Sequence, residues 1–334
     1  MFSLGPKAWR RPLPARTATA FAPGAITNFF SVRAGQAAHG GNLRRVGATG
    51  GGYVLSAGVL TKASIDGGDR SLEVIVDGDS SYCARTTRKA VELLLTEYGF
   101  PTGRLVLEQS MGVPVGCGFG ASAAAAISGV YAASAAMGLR VNKRTLAYFA
   151  HVADIVEGTG LGTVSVTYDN VGAGAITKAG APGLSEFFKL RCPPGTRIVT
   201  ASIAPYRKSD ALSSPEIVKR ISGLGDSALR RLRASPSFGT LASEGERFSE
   251  ALGLISGEVR GLLNTAKASG AAYASQNMIG HAIHAITTEA RADAVAAALR
   301  DSTARPLVAV FELGRRRARV LRGNNGQELR ASAL

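Results

Sequence analysis

The sequence is short of several things, and each shortage excludes a reading. It has 3 cysteines, Cys83, Cys117 and Cys192, scattered and odd in number. That rules out a disulfide framework and any Cys-based metal spacing, and it fits a chain working in a reducing cytoplasm. It has only 4 histidines. His281 and His284 stand one helical turn apart with no third ligand evident, so they read as core or surface residues and not as a metal site. No acid precedes Asp66, and no charge of either sign falls between Gln109 and Leu139. That uncharged stretch is broken by Pro114 and glycines and then turns alanine-rich, whereas a bilayer helix needs about 20 uninterrupted apolar residues. No membrane span follows. Residues 1–19 lack an apolar run of signal-peptide length, and their Arg/Ala/Thr/Pro composition bears only a faint likeness to a transit peptide. They read as a flexible basic tail.

The chain is long enough, at 334 residues, for two domains and a large core, and 46% hydrophobic with 19% charged residues is globular composition. Lys+Arg 39 against Asp+Glu 24 gives a net charge of +15. The excess is concentrated from Lys7 to Arg16 and at Arg315, Arg316, Arg317 and Arg319. Neither cluster has interleaved aromatics on which bases could stack. A solvated basic surface that also draws in anionic small molecules is the reading, with nucleic acid disfavoured.

The most informative stretch runs from Arg104 to Tyr131. Arg104–Ser110 has strand character, Pro114-Val115-Gly116-Cys117-Gly118-Phe119-Gly120 is a glycine-rich turn, and Ala121 onward reads as a buried helix. Glycines at every second position let the backbone bend tightly and approach a ligand. The turn delivers free N–H groups to a helix N-terminus, which suits an anion. Ser122 in the first helical turn adds a hydroxyl for a phosphate oxygen or a metal. No Gly-Lys-Ser/Thr closes the turn, so it is not a Walker A loop.

Taken in order, Thr19–Phe30 reads as a short strand, a Pro23-Gly24 turn and a continuation. The glycine cluster Gly47–Leu55 reads either as a bulge or tight loop, or as a backbone closing over a small carboxylate with the Thr49 hydroxyl as donor. Ser71–Asp77 alternates as a strand, and Arg85–Tyr98 is an amphipathic helix stopped by Gly99 and Pro101. Asn142 caps a helix over 143–157 whose His151 and Asp154, three apart, share a face. Another glycine loop follows at Gly158–Thr163. After Pro193-Pro194-Gly195 the composition shifts, which places a domain boundary between residues 192 and 193. Beyond it a strand is expected over 197–204, a helix start at Ser214-Pro215-Glu216, helical stretches over 241–268 and 287–299, and a late strand over 307–311 with a basic hairpin.

The string Pro-x-Gly-x-Gly-x-Gly-x-Ser-Ala-Ala at 114–124 resembles the second motif of the GHMP small-molecule kinases, and Pro23-Gly24 resembles their first. Ala150-His151-x-Ala153-Asp154, Gly158–Gly162, Gly172-x-Gly174, Gly180–Gly183 and Ala274–Gly280 are similar to the archaeal pantoate kinase family within that superfamily. The resemblance spans about Ala20 to Leu313. It implies an α+β GHMP kinase fold, with a ribosomal-S5-domain-2-like first domain (20–192) and a ferredoxin-like second domain (193–334). It implies ATP on Pro114, Gly116, Gly118, Gly120, Ala121, Ser122 and Ala123, and Mg²⁺ on Ser122 and Asp154 with Glu157 as a second candidate. Pantoate would be touched by Thr49, His151 and Lys178, in a homodimeric cytoplasmic enzyme. Asp154 stands where the family usually has Glu, and Lys178 where an arginine is expected.

Thr163 is the chief departure, since the family pattern puts Asp there, near the attacking hydroxyl. Three explanations stand side by side. Asp169 supplies the carboxylate; or the transfer needs no strong base, because a loose transition state depends on positioning and charge neutralisation; or activity is lost. Another small acceptor, such as homoserine or mevalonate, and a non-catalytic nucleotide- or nucleic-acid-binding role are the alternatives to pantoate phosphorylation.

Overall fold

The computed structural model describes residues 17–33, 42–101, 103–204, 214–278 and 280–321. The expected tail, apart from residues 17–19, lies outside them. Two β-sheets organise the fold. The first holds β1 (Thr17–Arg33), β2 (Gly47–Asp66), β3 (Ser71–Val76), β4 (Arg104–Met111), β5 (Ala173–Lys178), β6 (Glu186–Leu190) and β11 (Arg319–Val320). β2 is its axis. It pairs along its length with β1, while Val59–Asp66 pair with β4 and Gly50–Tyr53 pair with β5. Helices α1 (Arg85–Tyr98), α2 (Ala121–Ala136) and α3 (Lys143–Val156) pack on one face, and α4 (Thr163–Asp169) follows the glycine loop after α3.

The second sheet is antiparallel, in the order β10 (Leu307–Glu312), β7 (Thr196–Ala204), β9 (His281–Thr288), β8 (Tyr273–Gln276). Helices α5 (Pro215–Ala234), α6 (Phe238–Leu252) and α7 (Gly257–Ala268) lie between β7 and β8, and α8 (Glu289–Arg300) lies between β9 and β10. This strand order and alternation are those of a ferredoxin-like sandwich.

Burial explains the layering. α2 is alanine-rich and buried on nearly every side, because it sits between the first sheet and the helices α1 and α3. Small side chains let α1 and α3 close over it. A buried polar cluster fixes their register: Gln109 on β4 accepts from the Thr87 hydroxyl at 3.1 Å and donates to Thr61 Oγ1 and to Ala125 O at 2.9 Å each. A second core lies between the sheets, where Phe29 and Tyr53 meet Leu229 and Leu241 from α5 and α6 and Ile198 and Phe311 from the second sheet. The two halves thus share one apolar interior.

Local expectations held for α1, for β4, and for α3, whose Asn142 cap accepts from Thr145 N. Others need correction. Pro23-Gly24 is not a turn but a register shift inside a continuous β1, which pairs with β2 on both sides of it. The glycine cluster at 47–55 is not a loop but the opening stretch of β2, and a register shift between Thr27 and Phe29 falls opposite it. A Cβ on Gly51 would lie 2.6 Å from Leu241 Cδ1, and one on Gly52 would strike Ile26 O. The single helical stretch expected over 241–268 is two helices, split by Gly253 at φ 71° and restarted by the Ser256 cap. Residues 287–288 end β9, and α8 starts at Glu289. His281 and His284 both lie in β9, so strand geometry, not a helical turn, relates them. The basic segment after β10 forms no hairpin with it; Arg319–Val320 pair with β1 in the other sheet.

Gly225 in α5 is where the helix presses hardest on the first sheet, since a Cβ there would strike the carbonyl of Phe30. Gly225→Ala is expected to cost about 1–3 kcal/mol by overpacking, read as a lower midpoint in chemical denaturation with unchanged slope.

Candidate active site

β4 leads into the glycine-rich turn and α2 leads out of it. Gly116, Gly118 and Gly120 adopt φ of 75°, 82° and 64°, the left-handed region that residues with a Cβ avoid. The turn is tight on its inner side. A Cβ at Gly118 would lie 2.8 Å from Asn277 Cβ, and one at Gly120 would lie 2.5 Å from Thr163 Cγ2. Asn277, from the segment between β8 and β9, braces the turn. Its Nδ2 donates to Cys117 O at 3.0 Å, and its Oδ1 accepts from His284 Nδ1 at 2.8 Å. Burial drives the His284 pKa down to about 3, so the ring is neutral and keeps one proton for this bond.

The outer side of the turn faces a cleft of about 1780 Å³, counting its open mouth. Gly116, Gly118, Gly120, Ala121 and Ser122 line it, opposite the first turn of α1 and the segment Glu157–Thr159. Pro114 and Ala123 do not line it, and Ala123 points into the core. Glu157 borders the cleft and faces Arg85 at 3.8 Å. Asp154 is buried behind this wall, and its Oδ1 accepts from the Thr159 hydroxyl at 2.7 Å. That hydroxyl is also 3.0 Å from the hydroxyl of Thr86. The threonines Thr159 and Thr86 escaped the sequence reading, although the Gly-Thr-Gly spacing of the loop was a signal for the first.

The donor set fits a nucleotide with Mg²⁺. Mg²⁺ prefers hard oxygens and takes one or two carboxylates alongside phosphates and waters. Ser122 and Glu157 face the cleft, and Asp154 connects to it through Thr159. Among the described residues no three His, Cys, Asp or Glu side chains converge as a self-sufficient metal site, so the ion would depend on the phosphates.

A second cleft, about 760 Å³ with its mouth, lies between β1, β2, β5 and the loop leading into α4. Thr49 lines it, is buried, and its Oγ1 has no hydrogen-bond partner among the described atoms. The two clefts meet at one point. Ala25 N donates to Phe119 O at 2.9 Å. Gly120 abuts both Ala25 and Thr163. Ala25 and Thr163 line the smaller cleft, and Phe119 and Gly120 line the larger.

Three residues expected near an acceptor border neither cleft. His151 is buried beneath residues 43–46, with Nε2 3.1 Å from Leu43 O. A carbonyl only accepts, so Nε2 carries the proton, and burial lowers the ring's pKa. Lys178 ends β5 on the surface, paired to Glu186 at 2.9 Å. Asp169 ends α4, exposed and paired to Arg317 at 2.8 Å. Six residues of helix, about 9 Å of rise, separate it from Thr163, and it borders neither cleft.

Fold and site together define a class. Residues 85–169 match the GHMP kinases N terminal domain, and fold, site and relatives together are those of an ATP-dependent small-molecule kinase. Among its relatives is a pantoate kinase of Methanospirillum hungatei, 27% identical over 270 residues, spanning 80% of this chain and 86% of that protein. A solved structure described as a phosphotransferase related to the CoA biosynthesis pathway superposes with a TM-score of 0.80 at 25% identity, covering 92% of this chain and 99% of the other. A homoserine kinase from Cytophaga hutchinsonii shares the fold, with a TM-score of 0.65 at 15% identity over 94% of this chain and all of that one (100%).

The neutral His284 makes stability pH-dependent. Its folded pKa lies below the unfolded value of 6.5, so the unfolded chain binds the proton first. Stability is expected to be intact above about pH 6.5 and to fall as pH drops toward about 3, with up to about 2 kcal/mol lost by pH 5. His151 adds to the loss in the same direction. Denaturation midpoints between pH 7 and pH 4.5 should fall less steeply in His284→Gln than in the wild type.

Proposed function

We propose that this kinase transfers the γ-phosphoryl group of ATP to the primary hydroxyl of D-pantoate, giving 4-phosphopantoate and ADP in coenzyme A biosynthesis. The observation that carries the reading is the meeting of the two clefts at Gly120, Ala25 and Thr163. A phosphate on the glycine-rich turn and an alcohol beside Thr49 would approach each other there. The likeness to a pantoate kinase and to a CoA-pathway phosphotransferase supports this choice of acceptor over homoserine or mevalonate.

ATP with Mg²⁺ supplies the transferable phosphoryl group and neutralises its charge. The protein positions and shields it. The turn at 116–120 offers backbone to the phosphates, and Ser122 and Glu157 hold hard oxygens toward the same cleft. Asp154 orients Thr159 through its 2.7 Å bond. Thr163 occupies the junction and cannot act as a general base near neutral pH. With Asp169 turned outward toward Arg317, a base-free transfer relying on alignment is the mechanism the arrangement favours.

ADP release from ATP and Mg²⁺ is expected to depend on D-pantoate and to be weaker with homoserine or mevalonate. Release only with another acceptor would move the enzyme to a different pathway. No release with any acceptor, from protein shown to bind ATP, would favour a non-catalytic role, the reading that Thr163 at the junction also admits. Ser122→Ala and Asp154→Asn should each lower kcat on the order of 100-fold, beyond any change in stability. Asp169→Asn should leave kcat within about twofold, because a surface ion pair contributes little. A large loss in that variant would restore Asp169 as the base.

A further inference from the structure

We infer that the acceptor cleft selects a branched aliphatic primary alcohol by its hydrocarbon and hydroxyl groups and not by a carboxylate, so that an uncharged amide of the acceptor acid is accepted as readily as the acid. The inference rests on the reading of this cleft as the acceptor site. None of its described lining residues is Lys, Arg, His, Asp or Glu. The phenol of Tyr53 is the one titratable group among them, and burial pushes its pKa up, so it stays neutral. On β5 the positions that line the cleft are Gly174 and Ile176. Lys178, two residues beyond Ile176, is engaged by Glu186 at the surface. The charged side chain that lies against the wall is acidic: Asp154, whose carboxyl is packed directly behind Gly160.

The walls themselves are apolar, with Phe30, Leu161, Ile176, Phe187 and Met278 contributing. A carboxylate placed among them would lose hydration with no side-chain cation among the described lining residues to offset the loss. Methyl branches would gain from the same walls. The polar feature that awaits a ligand is the buried Thr49 hydroxyl, which lacks a partner among the described atoms. A hydroxyl can donate to a carboxylate oxygen or to an amide carbonyl, so it does not by itself favour the charged form.

The test compares D-pantoate with its uncharged primary amide as acceptors for the full chain, with ATP and Mg²⁺. A site holding the acid through a guanidinium would favour it by about 100-fold or more. Here kcat/KM for acid and amide should agree within about tenfold, or favour the amide. A larger preference for the acid overturns the inference. Absence of ADP release with both would defeat the kinase reading separately. Calorimetric binding of acid and amide, with a non-hydrolysable ATP analogue present, then decides the cleft by the same tenfold criterion, and binding of neither also overturns it. Ile176→Arg places a cation on the cleft wall and should shift the preference toward the acid by roughly tenfold. An unchanged ratio in folded Ile176→Arg protein counts against the inference.

Discussion

The site depends on the brace that Asn277 makes across the interface between the two sheets. A glycine-rich turn in the left-handed region is free to wander, and a phosphate site needs it held still. Asn277 supplies the constraint from outside the turn, by a hydrogen bond to Cys117 O and by the press of its Cβ against Gly118. An amide suits this position because it donates at one end and accepts at the other. His284, kept neutral by burial, closes the accepting end. Both ends of the amide are therefore satisfied in an interior where an unmade bond would cost about 1–3 kcal/mol. The second sheet thus backs the glycine-rich turn without lining the cleft on its other side.

That brace explains why the halves share a core. If the sheets could shift, the turn would lose its backing and the junction at Gly120 would open. Phe29, Tyr53, Leu241 and Phe311 prevent this by filling the space between them. The return of β11 to the first sheet ties the end of the described chain to its beginning. The same rigidity holds Thr163 at the junction, against Gly120. Phosphoryl transfer with a loose transition state gains mostly from alignment and charge neutralisation, and alignment is what the packed junction provides.

Much of this was legible in the sequence where local chemistry decides the outcome. The strand–turn–helix at 104–136, the Asn142 cap and the Ser214-Pro215 helix start depend on neighbours a few residues away. The glycines at 47–52 misled because glycine in a row suggests a turn, whereas here facing backbone, such as Ile26 O against Gly52, demands the missing side chain. Spacing also carried no direction. His151 and Asp154 share a helix face, yet one is capped by Leu43 and the other by Thr159. Lys178 and Asp169 bear plausible charges, but Glu186 and Arg317, brought near by pairing in the first sheet and by the chain's return, hold both at the surface.

The two clefts differ in what specifies them. The larger cleft is set largely by backbone conformation: positive φ at the glycines, a helix start, a carbonyl held by an amide. Such features tolerate few substitutions, so they remain readable as a motif. The smaller cleft is set by which side chains project from β2, β5 and the loop into α4. There a single residue change alters charge without disturbing a strand, since Gly174 and Ile176 keep the β5 ladder whatever they face. The glycine-rich turn is therefore the half of the site more tightly constrained by the backbone. A change of charge at Ile176 or Thr163 can therefore alter the smaller cleft while the fold and the glycine-rich turn stay intact.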